Sequence, residues 1–377
     1  MILFIMDTLL NISPVDGRYS KNTEILRDIF SEYGFIKYRI FVEIYYLFFL
    51  ADNTNLFNLT DEYKDIIMEI INKFDIEEAN KVKTIENKIN HDVKAIEFYI
   101  KMKLDELKNV IEPDLINEIK IYVHFCLTSQ DINCPANMLM VKDGNDFLLE
   151  FIGNIMFNLE IMINKWSDVI IISKTHGQIA SPTSLGKELM VFYERLENQV
   201  NGINSLNGIS SINGLKNIKY RSKFGGAVGN FNAHKYANKD DCFYCGNWNE
   251  FGNDFLKLIG LGRNQFTTQI DHYDNYGEIF NNIQRINTIL IDLCQDIWLY
   301  ISNDIFKLKI DKNEVGSSTM PHKVNPINFE NAEGNFLLAN TLLQFMSNKL
   351  PVSRLQRDLT DSTILRNVGT AYGYVFM

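Results

Sequence analysis

The stretch IFNNIQRINTILIDLCQDIWLY, residues 279–300, decides the fold class. Its apolar residues Ile279, Ile283, Ile286, Leu290, Leu293, Ile297 and Tyr300 are separated alternately by four and three positions. That is the spacing of a heptad seam, a continuous apolar stripe along one helix face. At about 1.5 Å per residue the seam spans roughly 30 Å. A helix of that length outruns a small core and suits a bundle whose helices lie side by side at shallow angles. Two shorter runs share the period: Leu185, Leu189, Phe192, Leu196, Val200, and Leu148, Phe151, Ile155, Leu159, Met162. Strand-type alternation is scarce, so the expected fold is mainly α, a long-helix bundle.

Working outward, the 377 residues suggest two or three domains, or one large core with an appendage. Turn signals thin out after about residue 115, which divides the chain into a mostly helical N-terminal domain, 1–117, and the bundle domain, 118–377. Apolar residues make up 46% and charged residues 22%, the composition of a globular chain able to bury a large core. The net charge of −10 argues against general nucleic-acid binding, which needs a basic surface to displace counterions. It still permits a local basic pocket for an anionic ligand.

The opening MILFIMDTLL lacks a basic leader and a small-residue cleavage site, so it reads as no signal peptide. No stretch approaches the roughly 20 uncharged apolar residues of a membrane helix. The expected partners thus include neither nucleic acid nor membrane. Five scattered cysteines fit a reduced, cytoplasmic setting. Cys242 and Cys245 form a lone CxxC without a second pair or spaced histidines, so no metal is expected. Residues 201–224, rich in Asn, Ser and Gly, read as a flexible surface insertion.

The most unusual segment is GSSTMPHKVNP, residues 316–326. Small residues open it, and Asn325 followed by Pro326 reads as an N-cap with proline at the first helical position. A Gly/Ser loop thus feeds a helix N-terminus with Lys323 just before it. Free N–H groups, the helix dipole and a lysine together favour a bound anion. Ser317 and Ser318 supply hydroxyls. Taken alone, the loop is equally compatible with a phosphate-binding turn or a surface hinge; it is not a Walker A loop.

With the residues that follow it, GSSTMPHKVNPINFE resembles the signature of the aspartase/fumarase superfamily. Every fixed position is filled, by Ser317, Ser318, Met320, Pro321, Lys323, Asn325 and Glu330. Further blocks narrow the likeness to the bacterial-like branch of the adenylosuccinate lyases: SPVDGRYS, KTIENKINHDVKAIEFY, CLTSQDIN, SKTHGQIASPTSLGKE, GAVGNFNAH, TTQI and KLPVSRLQRDLTDSTILRN. They occur in family order and cover the chain except the 201–224 insertion. The fold so implied is the long-helix bundle of the superfamily, forming a central multi-helix core on tetramerisation. The chain stops at AYGYVFM within an apolar run, and the resemblance implies a further small helical domain of about 90 residues beyond it.

The implied reaction is β-elimination without a cofactor, releasing fumarate from adenylosuccinate or from the succinyl-carboxamide ribotide of purine biosynthesis. It needs a base, an acid and cations to hold developing charge. The resemblance puts the base at Ser317, whose alkoxide Lys323 and the helix N-terminus would stabilise. It puts the acid at His176, within Thr175-His176-Gly177-Gln178. Imidazole, with an ordinary pKa of ~6.5, suits proton donation near neutrality. Glu330 resembles the carboxylate that orients this histidine; a helix-capping role is the alternative.

The substrate is a small, strongly anionic nucleotide, so cations should converge on it. By resemblance Arg18 and Tyr19 meet the nucleotide end, and Asn90, His91 and Asp92 position the substrate. Arg357, Ser362 and Arg366 hold the phosphate and nearby groups, with Thr363, Ile364 and Leu365 in the same block. Lys323 and Asn325 hold the succinyl carboxylates, with Thr128, Ser129 and Gln269. Ser318, Val324 and Asn331 complete the implied contacts. In the family the site is shared between subunits of a homotetramer, so self-association is the implied partner interaction. A sister lyase acting on argininosuccinate, a non-catalytic scaffold of the same fold and a phosphate-binding regulatory module are the other readings.

Overall fold

The structure, a computed structural model, describes residues 8–203, 212–237, 247–309 and 324–377. Ser317, Ser318, His322, Lys323, Cys242 and Cys245 therefore lie outside the described residues. Eight helices and one hairpin frame the site: α1 (Glu32–Asn53), α2 (Asp92–Glu106), α3 (Ser129–Lys165), β1 (Ile170–Thr175), β2 (Gln178–Ser184), α4 (Leu185–Asn201), α5 (Asp274–Ser302), α6 (Ile327–Lys349), α7 (Thr360–Leu365) and α8 (Val368–Phe376).

The heptad reading holds. α5 runs for 29 residues, and Ile279, Ile283, Ile286, Leu290 and Ile297 are all buried. It lies antiparallel to α6, because paired residues climb one helix as they descend the other. Asn287 donates to Asn340 (2.9 Å), Gln295 to Glu333 (2.8 Å) and Trp298 to Glu330 (3.0 Å). The five apolar residues picked out in α4 are buried as well. In α3 the stripe is only partly covered: Leu148 and Leu159 are buried, whereas Phe151 is exposed and meets Phe376 edge-on at 5.1 Å. α6 starts one residue later than the sequence implied. Pro326 is itself the N-cap, since its ψ of 44° is not helical.

The expected surface insertion at 201–224 needs correction where it is described; residues 204–211 of it lie outside the described residues. Residues 214–224 run into the core, with Leu215, Ile218, Lys223 and Phe224 buried. Phe224 joins an aromatic cluster with Tyr46 (5.6 Å) and Phe255 (4.8 Å). The Asn, Ser and Gly content of the stretch hid this burial, because composition averages over a window while burial acts residue by residue.

At the head of α3, a charged pair is buried completely. Lys223 Nζ donates to Asp131 Oδ1 (2.7 Å), and both side chains are 0% exposed. The carboxylate also accepts from the N–H groups of Thr128 (2.9 Å), Gly225 (2.9 Å) and Gly226 (3.1 Å), while Lys223 donates again to Gly226 O (2.7 Å). Burial opposes the Asp131 charge, yet Lys223 and these N–H groups hold its carboxyl below the usual range. A carboxyl with a depressed folded pKa contributes stability above the ordinary Asp range, and loses it as pH falls through the depressed value.

Replacing one member of such a pair leaves the other charged and unpaired, which costs about 3–5 kcal/mol. We predict that loss for Lys223→Met, read from the denaturant midpoint at neutral pH. An unchanged midpoint would show that the pair does not hold α3 in place.

Candidate active site

A cleft of about 610 Å³ opens between the starts of α1, α2 and α3 and the segment carrying α7. Eight of the residues expected at the site line it: Asn90, His91, Asp92, Ser129, Arg357, Ser362, Leu365 and Arg366. They come from three well-separated parts of the sequence.

Local structure explains their placement. Asn90 ends the preceding helix in the left-handed region at φ 53°, a conformation asparagine tolerates better than most residues. The chain then reverses so that His91 caps α2, its Nδ1 accepting the Lys94 N–H at 3.1 Å. Asp92 begins α2 and accepts its neighbour's Val93 N–H (2.9 Å) through Oδ1. Thr128 caps α3 in a capping box with Asp131, which leaves Ser129 as the first helical residue at the cleft wall.

A relay of side chains carries this order across the fold. Gln269 donates to Ala227 O (3.1 Å), just beyond the glycines held by Asp131. It accepts from Arg357 Nη1 (3.4 Å), and Arg357 Nη2 reaches Ser362 Oγ (3.5 Å). The short α7 turns Ile364 into the core and leaves Thr363 exposed.

Charge in the cleft is ordered. Asp92 Oδ2 takes Arg39 Nη2 at 2.6 Å, while Arg366 stands off the same oxygen at 3.7 Å. Burial works against the Asp92 charge, but Arg39, the Val93 N–H and Arg366 hold its carboxyl below the usual range. Arg39 is itself buried, with Nε donating to Asn133 Oδ1 (2.8 Å) and its plane 3.7 Å from the Phe35 ring centre. Burial pulls its pKa down and Asp92 opposes that.

The remaining expected residues fall into two other places. Tyr19 OH donates to Asn331 Oδ1 (2.9 Å), with Arg18 5.9 Å from the Tyr19 ring centre, so both sit by the start of α6. Glu330 accepts from the Trp298 indole there, and Val324 and Asn325 lead into the same helix. His176 stands elsewhere, at the exposed tip of the β1–β2 hairpin. Thr175 pairs with Gln178, so His176 and Gly177 form a two-residue loop with φ of 55° and 72°. That is the turn whose twist matches paired strands. None of the residues lining the 90–92 cleft comes from the hairpin. Among the described residues the expected site residues thus fall into three groups, of which one lines the cleft.

Arg39 and Asn133 were missed from the sequence. The signal for Arg39 was present: a lone arginine inside the apolar run FIKYRIFVEIYYLFFL, residues 35–50. A charge on the buried stripe of a helix demands a partner. Among the described residues no cluster of His, Cys, Asp and Glu is placed to hold a metal ion, and no helix is long and apolar enough to cross a membrane.

Comparison with known proteins gives the chain its relatives. A family profile described as "Lyase" matches residues 17–337. The adenylosuccinate lyase of Dictyostelium discoideum is 44% identical over 378 aligned residues, covering 98% of this chain and 76% of that protein. The adenylosuccinate lyase of Escherichia coli K12 is 40% identical, covering 99% of this chain and 77% of that one. Among solved structures, a 3-carboxy-cis,cis-muconate lactonizing enzyme from Pseudomonas putida superposes with a TM-score of 0.70 at 18% identity, over 94% of this chain and 73% of that one. A fumarate lyase from Mesorhizobium sp. BNC1 gives 0.68 at 16%, over 94% and 71%.

The hairpin supplies a prediction. Gly177 has open space around its Cβ position, so only its positive φ resists a side chain. Valine there costs about 1–2 kcal/mol. We expect amide exchange across residues 170–184 to quicken roughly 5–30-fold in Gly177→Val, with the global melting temperature unmoved. Unchanged exchange would disprove the turn assignment.

Proposed function

This chain belongs to the adenylosuccinate lyases, and we infer from that membership that it eliminates fumarate from adenylosuccinate, leaving AMP. The analogous succinyl-carboxamide ribotide is the second substrate of this reading. The observation that carries it is the 90–92 cleft. There two arginines of the 357–366 segment gather with Asn90, His91 and Asp92 in a volume suited to a nucleotide.

In the proposed chemistry Ser317 removes the Cβ proton beside a carboxylate, and His176 protonates the departing purine nitrogen. Lys323 and the start of α6 hold the negative charge that develops. Arg357, Ser362 and Arg366 take the phosphate. Arg18 and Tyr19 contact the nucleotide end, and Thr128, Ser129, Gln269 and Asn325 receive the succinyl carboxylates. Glu330 orients the histidine.

Because a single chain leaves His176 apart from the cleft, the reading requires other copies, and we propose a homotetramer. Exposed apolar side chains on the long helices support it. Phe157 and Ile161 on α3, and Leu337, Leu338 and Phe345 on α6, are each at least 50% exposed. Stripes of this kind mark surfaces that pack against further helices. The unpaired Cys126, Cys134 and Cys294 support a reducing, cytoplasmic setting.

Two measurements test the proposal. Ser317→Ala and His176→Ala should each lower turnover of adenylosuccinate by about 10³-fold or more, with substrate binding retained in Ser317→Ala. Wild-type turnover in either variant removes that residue from its role. Mixing the two inactive variants under subunit exchange should restore part of the activity, since some mixed sites then receive both intact groups. No recovery would argue that each site is built from a single chain.

A further inference from the structure

We propose that Arg39 is a positioning residue that keeps Arg366 available for the substrate's phosphate, by occupying the Asp92 carboxylate that would otherwise capture it. The inference rests on the phosphate-binding role given above to Arg366.

The geometry argues for a division of labour between the two arginines. Arg39 is 2% exposed, lies within the bundle and is fixed on three sides, by Asp92 Oδ2, Asn133 Oδ1 and the Phe35 face. A guanidinium so enclosed is poorly placed to move onto a ligand. Arg366 is 54% exposed and 3.7 Å from Asp92, beyond hydrogen-bond length. It pairs loosely with the same carboxylate, without a hydrogen bond to it. Oδ1 accepts the Val93 N–H, and on Oδ2 Arg39 at 2.6 Å supplies the closer compensating charge, with Arg366 at 3.7 Å.

The surrounding charges make this matter. Three carboxylates line the cleft: Glu32, Glu86 and Asp92. Lys83 serves the first two, at 3.1 and 2.6 Å. Arg39 compensates Asp92, and with Lys83 shared by the two glutamates the four cations Arg39, Lys83, Arg357 and Arg366 exceed the three carboxylates by one positive charge, carried toward an anion by Arg357 and Arg366. Removing the Arg39 charge would leave Asp92 in a low-dielectric wall with one nearby cation, Arg366. Closing from 3.7 Å to hydrogen-bond length requires only a small side-chain movement. The captured Arg366 would then be lost to the phosphate, and the uncompensated carboxylate would repel it.

The test separates this role from a merely structural one. Arg39→Gln keeps hydrogen-bonding capacity and removes charge. Its Kd for AMP should rise roughly 10–100-fold, the range expected for one charge-assisted contact. Its Kd for adenosine, which lacks the phosphate, should stay within about threefold of wild type. KM for adenylosuccinate should rise with little change in kcat, and Arg39→Lys, which restores a cation, should recover most of the AMP affinity. Equal losses for AMP and adenosine, or no loss for AMP, would overturn the inference. Failure of the wild-type protein to bind AMP would instead overturn the functional reading, and this inference with it. Should Arg39→Gln not fold, Arg39→Lys measured against Arg39→Met gives the same comparison.

Discussion

The Asp131–Lys223 pair is the constraint on which the cleft depends. It joins the head of the longest helix to the loop that begins at Gly225, and it does so without solvent. Desolvating two charges costs several kcal/mol each, and their attraction in the interior offsets that only when the geometry is good and every remaining site is bonded. Here the carboxylate takes backbone N–H groups from both segments it joins. Such an arrangement contributes less to net stability than to uniqueness, because any slippage of the helix against the loop would strand a charge. From this fixed point the relay through Gln269 and Arg357 to Ser362 sets one wall of the cleft.

The opposite wall follows another logic. α2 begins in the cleft, so Asp92 sits where a helix dipole favours negative charge. In a cleft proposed to hold an anion, a carboxylate is out of place until its partner is counted. The buried Arg39 neutralises it from behind, so the guanidinium groups of Arg357 and Arg366 outweigh it at the cleft wall. The acidic total charge of the chain and the basic character of this pocket are therefore compatible.

Much of the architecture was legible from residue spacing. The seam at 279–300 gave α5 its length and its buried face, because helical period is a local property set by 3.6 residues per turn. The motif blocks likewise pointed to Asn90, His91, Asp92, Arg357, Ser362 and Arg366, which the fold gathers into one cleft. The hairpin around His176 was not legible. Ile170 and Ile172 do alternate, but the His-Gly turn lacks the Asn-Gly or Asp-Gly signal, and the strands are short and exposed. The 214–224 segment was misjudged because its few apolar residues follow a polar run.

By itself the sequence determined the helical class, the long apolar seams and the chemical types available for an elimination. Those are consequences of local periodicity and of side-chain identity, which no distant contact changes. Only the tertiary structure decided which charges meet. Arg39 and Asp92 lie 53 positions apart, as Lys223 and Asp131 lie 92 apart. Pairing across such separations depends on how helices pack, and packing is a property of the whole chain rather than of any window within it.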